Sequence, residues 1–259
     1  MAYDNLILDV GEDFVAELTL NRPDQLNTFN TPLARELDAA LIDLDADDRV
    51  RVVLLKGAGK AFCAGIDVKE LAGKTAMEYR SWIETMERPL LRIAQMAKPV
   101  IAQLHGVAAA NGAGLAVAAD LTIAAESARL GLTAINVGLN CVGPVLPVSK
   151  AIGRKRSLEL LLFGELIDAN RALSFGLVNR VVADDQLATE ARSWAAALAA
   201  KSPIAVQIAK QGYYAAENMD YDRAFAFMNE AFARLCTTED AKEGVSAFFE
   251  KRAPQWKLK

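Results

Sequence analysis

Histidine is almost missing from this chain: His105 is the only one among 259 residues. Any Ser–His or Cys–His mechanism would have to pass through that side chain, and a site built from several histidines is excluded. Cysteine is nearly as scarce. Cys63, Cys141 and Cys236 are odd in number and form no C-x-x-C pair, so neither a disulfide framework nor a zinc site is expected, and no metal ligands are assigned. A basic excess is also lacking. Against 33 Asp and Glu stand 29 Lys and Arg, a net charge of −4, which does not provide the footprint that nucleic acid requires. The one basic cluster, GRKR at 153–156, is short and fits a helix start. A phosphorylated small molecule stays open, because a few local cations or N–H groups can hold one. No apolar run reaches membrane-spanning length. The opening MAYDNLILDVG has no basic leader and reads as a strand, so a cytoplasmic protein without a membrane partner is expected.

The 53% hydrophobic and 24% charged residues are ordinary for a globular chain of this length, which suits one large domain or a core with a small appendage. NLILDV and FVAELTL read as two strands joined by GED, and Thr31 is placed to cap a helix with Pro32 at its first position. VRVVLLKG and KPVIAQLHG are apolar enough to be strands buried on both faces, and DLTIAAE is a further strand. Residues 76–96 are helical in pattern. After about residue 143 helical patterns dominate, with LVNRVV the only strand among them. The last helices are rich in apolar residues, which would serve either a partner subunit or the cover of the core.

Two glycine corners stand out, FCAGID at 62–67 and AAANGAGL at 108–115. Each follows a buried strand and opens a helix. One N–H from each could converge on a single carbonyl oxygen and form an oxyanion hole, which stabilises the enolate of a thioester. Plain strand–helix turns that need glycine for positive φ would have the same spacing, so spacing alone leaves both readings open.

The order of the blocks LTLNRPDQLNTFN, VRVVLLKGAGKAFCAGIDVKEL, KPVIAQLHGVAAANGAGLAVAADLTIAAESARLGL, AIGRKRSLELLLFGELIDANRALSFGLVNRVV and GVSAFFEKRAP resembles the crotonase, or enoyl-CoA hydratase/isomerase, family nearly end to end. The resemblance implies an α/β crotonase-like spiral of ββα units over residues 1–197 and a helical C-terminal trimerisation region over 198–259. It implies a homotrimer or a dimer of trimers, an acyl-CoA thioester as the ligand, and no cofactor beyond the coenzyme A moiety. By position, the oxyanion donors would be the amides of Ile66 and Asn111. The coenzyme A site would be formed around Gln25, Leu26, Ala64, Ile66, Asp67 and Val68, where the Asp67 side chain itself reads as a cap or loop anchor. Phe248 and Lys251 match positions that reach a coenzyme A bound in a neighbouring subunit; the plain alternative for Lys251 is a solvated terminal charge.

The resemblance also marks departures. The two positions where hydratases of the family carry water-activating glutamates are here Gly114 and Ala134, and Asn111 replaces the usual oxyanion glycine. Neither Gly nor Ala can transfer a proton. Candidate replacements are Cys141, whose thiol would need a lowered pKa, and Glu84 and Glu87, three apart on one helix face. The alternatives are a packing thiol and a solvated acidic face. His105 reads as structural, and Tyr213 and Tyr214 as core or acyl-pocket residues. Two functions follow: an enzyme of the hydratase/isomerase class with relocated acid–base groups, or a non-catalytic acyl-CoA-binding or assembly protein on the same frame.

Overall fold

The two alternating runs at the start form an antiparallel hairpin, β1 (Leu6–Val10) and β2 (Val15–Leu20), in the computed structural model of the protein, which describes residues 3–258. The next apolar runs add in parallel to β2: β3 (Val52–Gly57), β4 (Val100–Leu104), and, beyond β5 (Val107–Ala109), β6 (Leu121–Ala125). The small sheet holds β5, β7 (Arg129–Gly131) and β8 (Ile167–Asp168), while β9 (Arg180–Val182) closes the large sheet in the order β1-β2-β3-β4-β6-β9. Residues Val52 to Leu55 are all buried, as a central parallel strand covered on both faces requires.

The helices are α1 (Thr31–Ala46), α2 (Ala76–Gln95), α3 (Asn111–Ala118), α4 (Val145–Phe163), α5 (Ala169–Phe175), α6 (Leu187–Ala199), α7 (Pro203–Ala216), α8 (Tyr221–Cys236) and α9 (Glu239–Glu250). A repeat is visible: a strand in the large sheet, a short strand in the small one, then a helix. It runs β4–β5–α3 and β6–β7–α4, and in β3–α2 the short strand is reduced to a single bridge between Cys63 and Ala108. That bridge attaches the first glycine corner to β5, the strand leading into the second. The expected ββα units are thus present.

Local details differ from expectation in two places. LVNRVV is not the only strand after residue 143, because the short β8 pairs with β7. Asn30, not Thr31, caps α1, its extended backbone lying half outside the helix and its side chain accepting from the Leu33 amide. Thr31 is the first helical residue and donates its hydroxyl to Glu70, 2.7 Å away. The basic cluster does begin a helix: α4 is interrupted at Gly153 (φ +73°), and Arg154 lies in its second half. A buried ion pair fixes α7 to the sheet. Lys210 Nζ lies 2.8 Å from Asp120, which also accepts from the Val100 amide and the Tyr214 hydroxyl. Helices α8 and α9 expose Tyr221, Phe225, Phe232, Phe248 and Phe249 in the single chain. Among the described residues no helix is long and apolar enough to cross a membrane.

Candidate active site

The two glycine corners meet. A side-chain carbon placed on Gly65 (φ +109°) would lie 3.2 Å from the Ala110 Cβ, so the backbones are in close contact there. Ile66 and Asn111 are the residues that follow each contact point. In the bridge between Phe29 and Ile66, the ladder uses the Gly65 carbonyl (2.8 Å) and the Asp67 amide (2.7 Å). The N–H of Ile66 therefore points away from the bridge and donates to no acceptor among the described residues. Asn111 is the first residue of α3, where an amide has no intrahelical partner, and its N–H is likewise unpaired. Ala110, just before it, adopts φ +49° and ψ −115°, a region that costs a residue with a Cβ about 1–3 kcal/mol. The strained turn and the helix start hold the amide in place. Two free donors from distant parts of the chain, one at a helix N-terminus, suit a developing oxyanion.

Beside the C-terminal end of α3 lies a cavity of about 740 Å³ between α2, α3, α4 and α7, with apolar walls such as Leu90, Val117, Leu146 and Pro147. Glu87 faces it. Its carboxylate packs so closely on Gly143 that any Cβ at Gly143 would overlap it. Its Oε1 is buried and has no hydrogen-bond partner, and burial pushes the carboxyl above the usual glutamate range. The Asn111 side chain donates from Nδ2 to the carbonyl of Met86, 3.0 Å away, which ties the second corner to the turn of α2 carrying Glu87. Gly114 sits in the same cluster, where a Cβ would come 2.7 Å from the Pro144 Cβ and 2.9 Å from Leu90 Cδ2. The space at position 114 is therefore filled.

The remaining candidates divide. Glu84 lies on the cavity rim and is largely exposed, paired with Arg80 at 3.1 Å. Cys141 is buried, and burial raises its thiol from its ordinary value, the opposite of what a nucleophile or base needs. Cys63 is buried too and is pushed up to about 12. Ala134 is half-buried and packs against the core. His105 hydrogen-bonds the Gly59 carbonyl at 3.0 Å, a structural contact. Tyr213 and Tyr214 line the cavity, and Tyr214 is anchored on Asp120.

The expected coenzyme A residues converge at the first corner. The Ala64 amide donates to the Leu26 carbonyl at 3.0 Å, beside Gln25, and Leu26 and Val68 expose apolar surface next to it. Asp67 is the anchor its position suggested: it accepts from the Lys69 amide and pairs with Arg22 at 3.1 Å. Burial works to raise its carboxyl, but the hydrogen bonds from Arg22 and the Lys69 amide, with the charges of Arg22 and Lys69, together outweigh it and hold the group below the usual range. Arg22 also donates to the Thr28 carbonyl, so it braces the loop carrying Leu26 against the corner. Phe248 and Lys251 lie at the end of α9, exposed, and are not among the contacts of this cluster. Sequence reasoning missed Gly112, Gly143 and Ala110. Gly143 precedes a proline and looks like an ordinary turn, and nothing in the sequence marks a carboxylate from α2 as its neighbour.

Comparison with known proteins points to one family. The family described as Enoyl-CoA hydratase/isomerase matches residues 11–259. The chain is 34% identical to a short-chain-enoyl-CoA hydratase of Clostridium acetobutylicum, over 97% of each protein. It is 36% identical to an (E)-benzylidenesuccinyl-CoA hydratase of Thauera aromatica, over 94% of this chain and 95% of that one. Among solved structures, an enoyl-CoA hydratase of Mycobacterium smegmatis superposes with a TM-score of 0.94 at 38% identity, covering 97% of this chain and 98% of that one. One from Bacillus anthracis reaches 0.94 at 34% identity, over 99% and 100%. With the crotonase fold in place and full-length kinship to named enoyl-CoA hydratases, the chain belongs to the enoyl-CoA hydratase/isomerase family and is an enzyme of that class.

Proposed function

We propose that the protein binds an acyl-CoA with its thioester carbonyl between the amides of Ile66 and Asn111, and that it works by stabilising the enolate formed there. The observation that carries this reading is the pair of unpaired amides held by the contact of Gly65 with the strained Ala110. Negative charge that develops on the carbonyl oxygen gains two hydrogen bonds without any reorganisation, which is worth about 2.7–4 kcal/mol per donor in comparable sites. The coenzyme A moiety lies along Gln25, Leu26, Ala64, Ile66, Asp67 and Val68, and the acyl group extends into the cavity beside Leu90 and Leu146. No cofactor beyond coenzyme A is required. The reaction is double-bond migration, or hydration and its reverse, with an acid–base group other than those at Gly114 and Ala134. The exposed aromatic residues of α8 and α9 support a homotrimer or a dimer of trimers, in which Phe248 and Lys251 reach a neighbour's coenzyme A.

The test is spectroscopic. A chromophoric cinnamoyl-CoA bound in this hole should show a red-shifted absorption, because polarising the carbonyl extends charge separation along the conjugated acyl group. Binding with no shift would refute the oxyanion assignment.

A further inference from the structure

Residues 114 and 134 carry no carboxylate, yet one stands on α2 directly after Met86, whose carbonyl the Asn111 side chain holds: that of Glu87. We infer that Glu87, presented from α2 across Gly143, is the group that removes and returns the substrate proton. This rests on the oxyanion reading above and identifies the catalytic residue it leaves open.

Three observations carry it. Glu87 is half-buried with Oε1 unpaired, an expensive placement for a carboxylate that serves only structure. Gly143 is open to it only because it lacks a Cβ. Asn111 supplies one oxyanion amide and, with its side chain, grips Met86 next to Glu87, so donor and base are held in one assembly. A glycine at 111 would keep the amide and lose this grip. Asn111 is thus also a positioning residue for Glu87.

A single carboxyl in this place completes a 1,3-proton transfer. With a β,γ-unsaturated acyl thioester, the Glu87 carboxylate takes the proton from Cα. The C–H electron pair moves into a dienolate whose oxygen is held by the Ile66 and Asn111 amides. Glu87, now protonated, returns the proton to Cγ, the thioester carbonyl re-forms, and the double bond lies between Cα and Cβ. Protons and electrons balance with no other reactant.

The groups around Glu87 set its pH behaviour. Glu84 and Arg88 lie on its own helix; Asp120 after α3, Lys150 on α4, Tyr213 and Tyr214 on α7 and Glu217 at its C-terminus face the cavity. Desolvation is the one cause that moves Glu87, and it moves it upward. Activity should rise with pH through an apparent pKa above the ordinary glutamate value of 4.5.

The experiment compares wild type, Glu87→Gln and Asn111→Ala by isomerisation of a 3-enoyl-CoA and by exchange of the α-protons of a saturated acyl-CoA in deuterated water. Glu87→Gln should lower both rates by about 100-fold or more while the cinnamoyl-CoA red shift persists. Asn111→Ala should lower them less, with a shifted pH profile and the red shift retained. Wild-type rates in Glu87→Gln overturn the assignment. A wild type that hydrates 2-enoyl-CoA but neither isomerises nor exchanges overturns it as well. Loss of the red shift in wild type strikes the oxyanion reading instead, so the two failures are distinguishable.

Discussion

Gly112→Ala gives the oxyanion geometry its sharpest test by substitution. Gly112 follows Asn111, and a Cβ there would lie 2.7 Å from the carbonyl carbon of Cys63 and 2.8 Å from its Cβ, with the Cys63 oxygen closer still. Carbon atoms in contact settle at about 3.5–4.0 Å. The methyl group must therefore push α3 and the Cys63 strand apart by about 1 Å. Cys63 stands three residues before Ile66, so this wedge falls between the two donors. A displacement of about 1 Å costs on the order of 100-fold in rate. Stability changes less than the rate does. Overpacking costs about 1–3 kcal/mol, and alanine recovers roughly 0.5–1 kcal/mol over glycine within a helix, so the melting temperature should fall by only a few degrees. The assay is α-proton exchange together with the bound cinnamoyl-CoA spectrum, on protein shown to be folded by circular dichroism. A folded Gly112→Ala protein with the full red shift and the wild-type exchange rate would refute the reasoning.

Other expectations follow from the same contacts. Gly114→Glu with Ala134→Glu should not create a two-carboxylate hydratase, because Pro144 and Leu90 occupy the space at 114; a fall in melting temperature without a gain in crotonyl-CoA hydration is the expected result. Cys141→Ala should keep wild-type isomerisation kinetics, since the buried thiol is neutral at pH 7. Arg22→Ala should raise KM for acyl-CoA more than it lowers kcat, by freeing the loop at Thr28 and Asp67 from its brace. The Asp67 carboxyl is depressed on folding, so its contribution to stability is complete above the unfolded value near 3.8 and is lost as the pH falls through the lower folded value. Asp67→Asn should remove that part of the acid-unfolding curve.

The sequence was most legible where one physical rule acts alone. The apolar runs of β3 and β4 announced buried strands, and the glycine corners with their flanking strands announced both turns. Asp67 was readable as an anchor because a short carboxylate at a helix start meets a free amide. Less legible was everything set by packing between distant segments. Thr31 and Asn30 are both good caps, and only the reach of Glu70 from the other side of the loop decides between them. The pairing of Glu87 with Gly143 joins α2 to a turn more than fifty residues away, and a glutamate near Arg80, Glu84 and Arg88 reads as one more charge on a solvated face. The cost of Ala110 is invisible in sequence, because alanine carries no mark of the backbone it has been forced to adopt. Asn111 looked like a mere substitution at the oxyanion position. Its side chain connects that corner to α2 through the Met86 carbonyl.

The most direct measurement is a crystal structure with a saturated acyl-CoA thioester, which cannot isomerise. The account expects the carbonyl oxygen at about 2.7–3.1 Å from both the Ile66 and Asn111 nitrogens, with the acyl Cα beside the Glu87 carboxylate. A carbonyl bound to only one of these amides, or an acyl group directed away from Glu87, would contradict it.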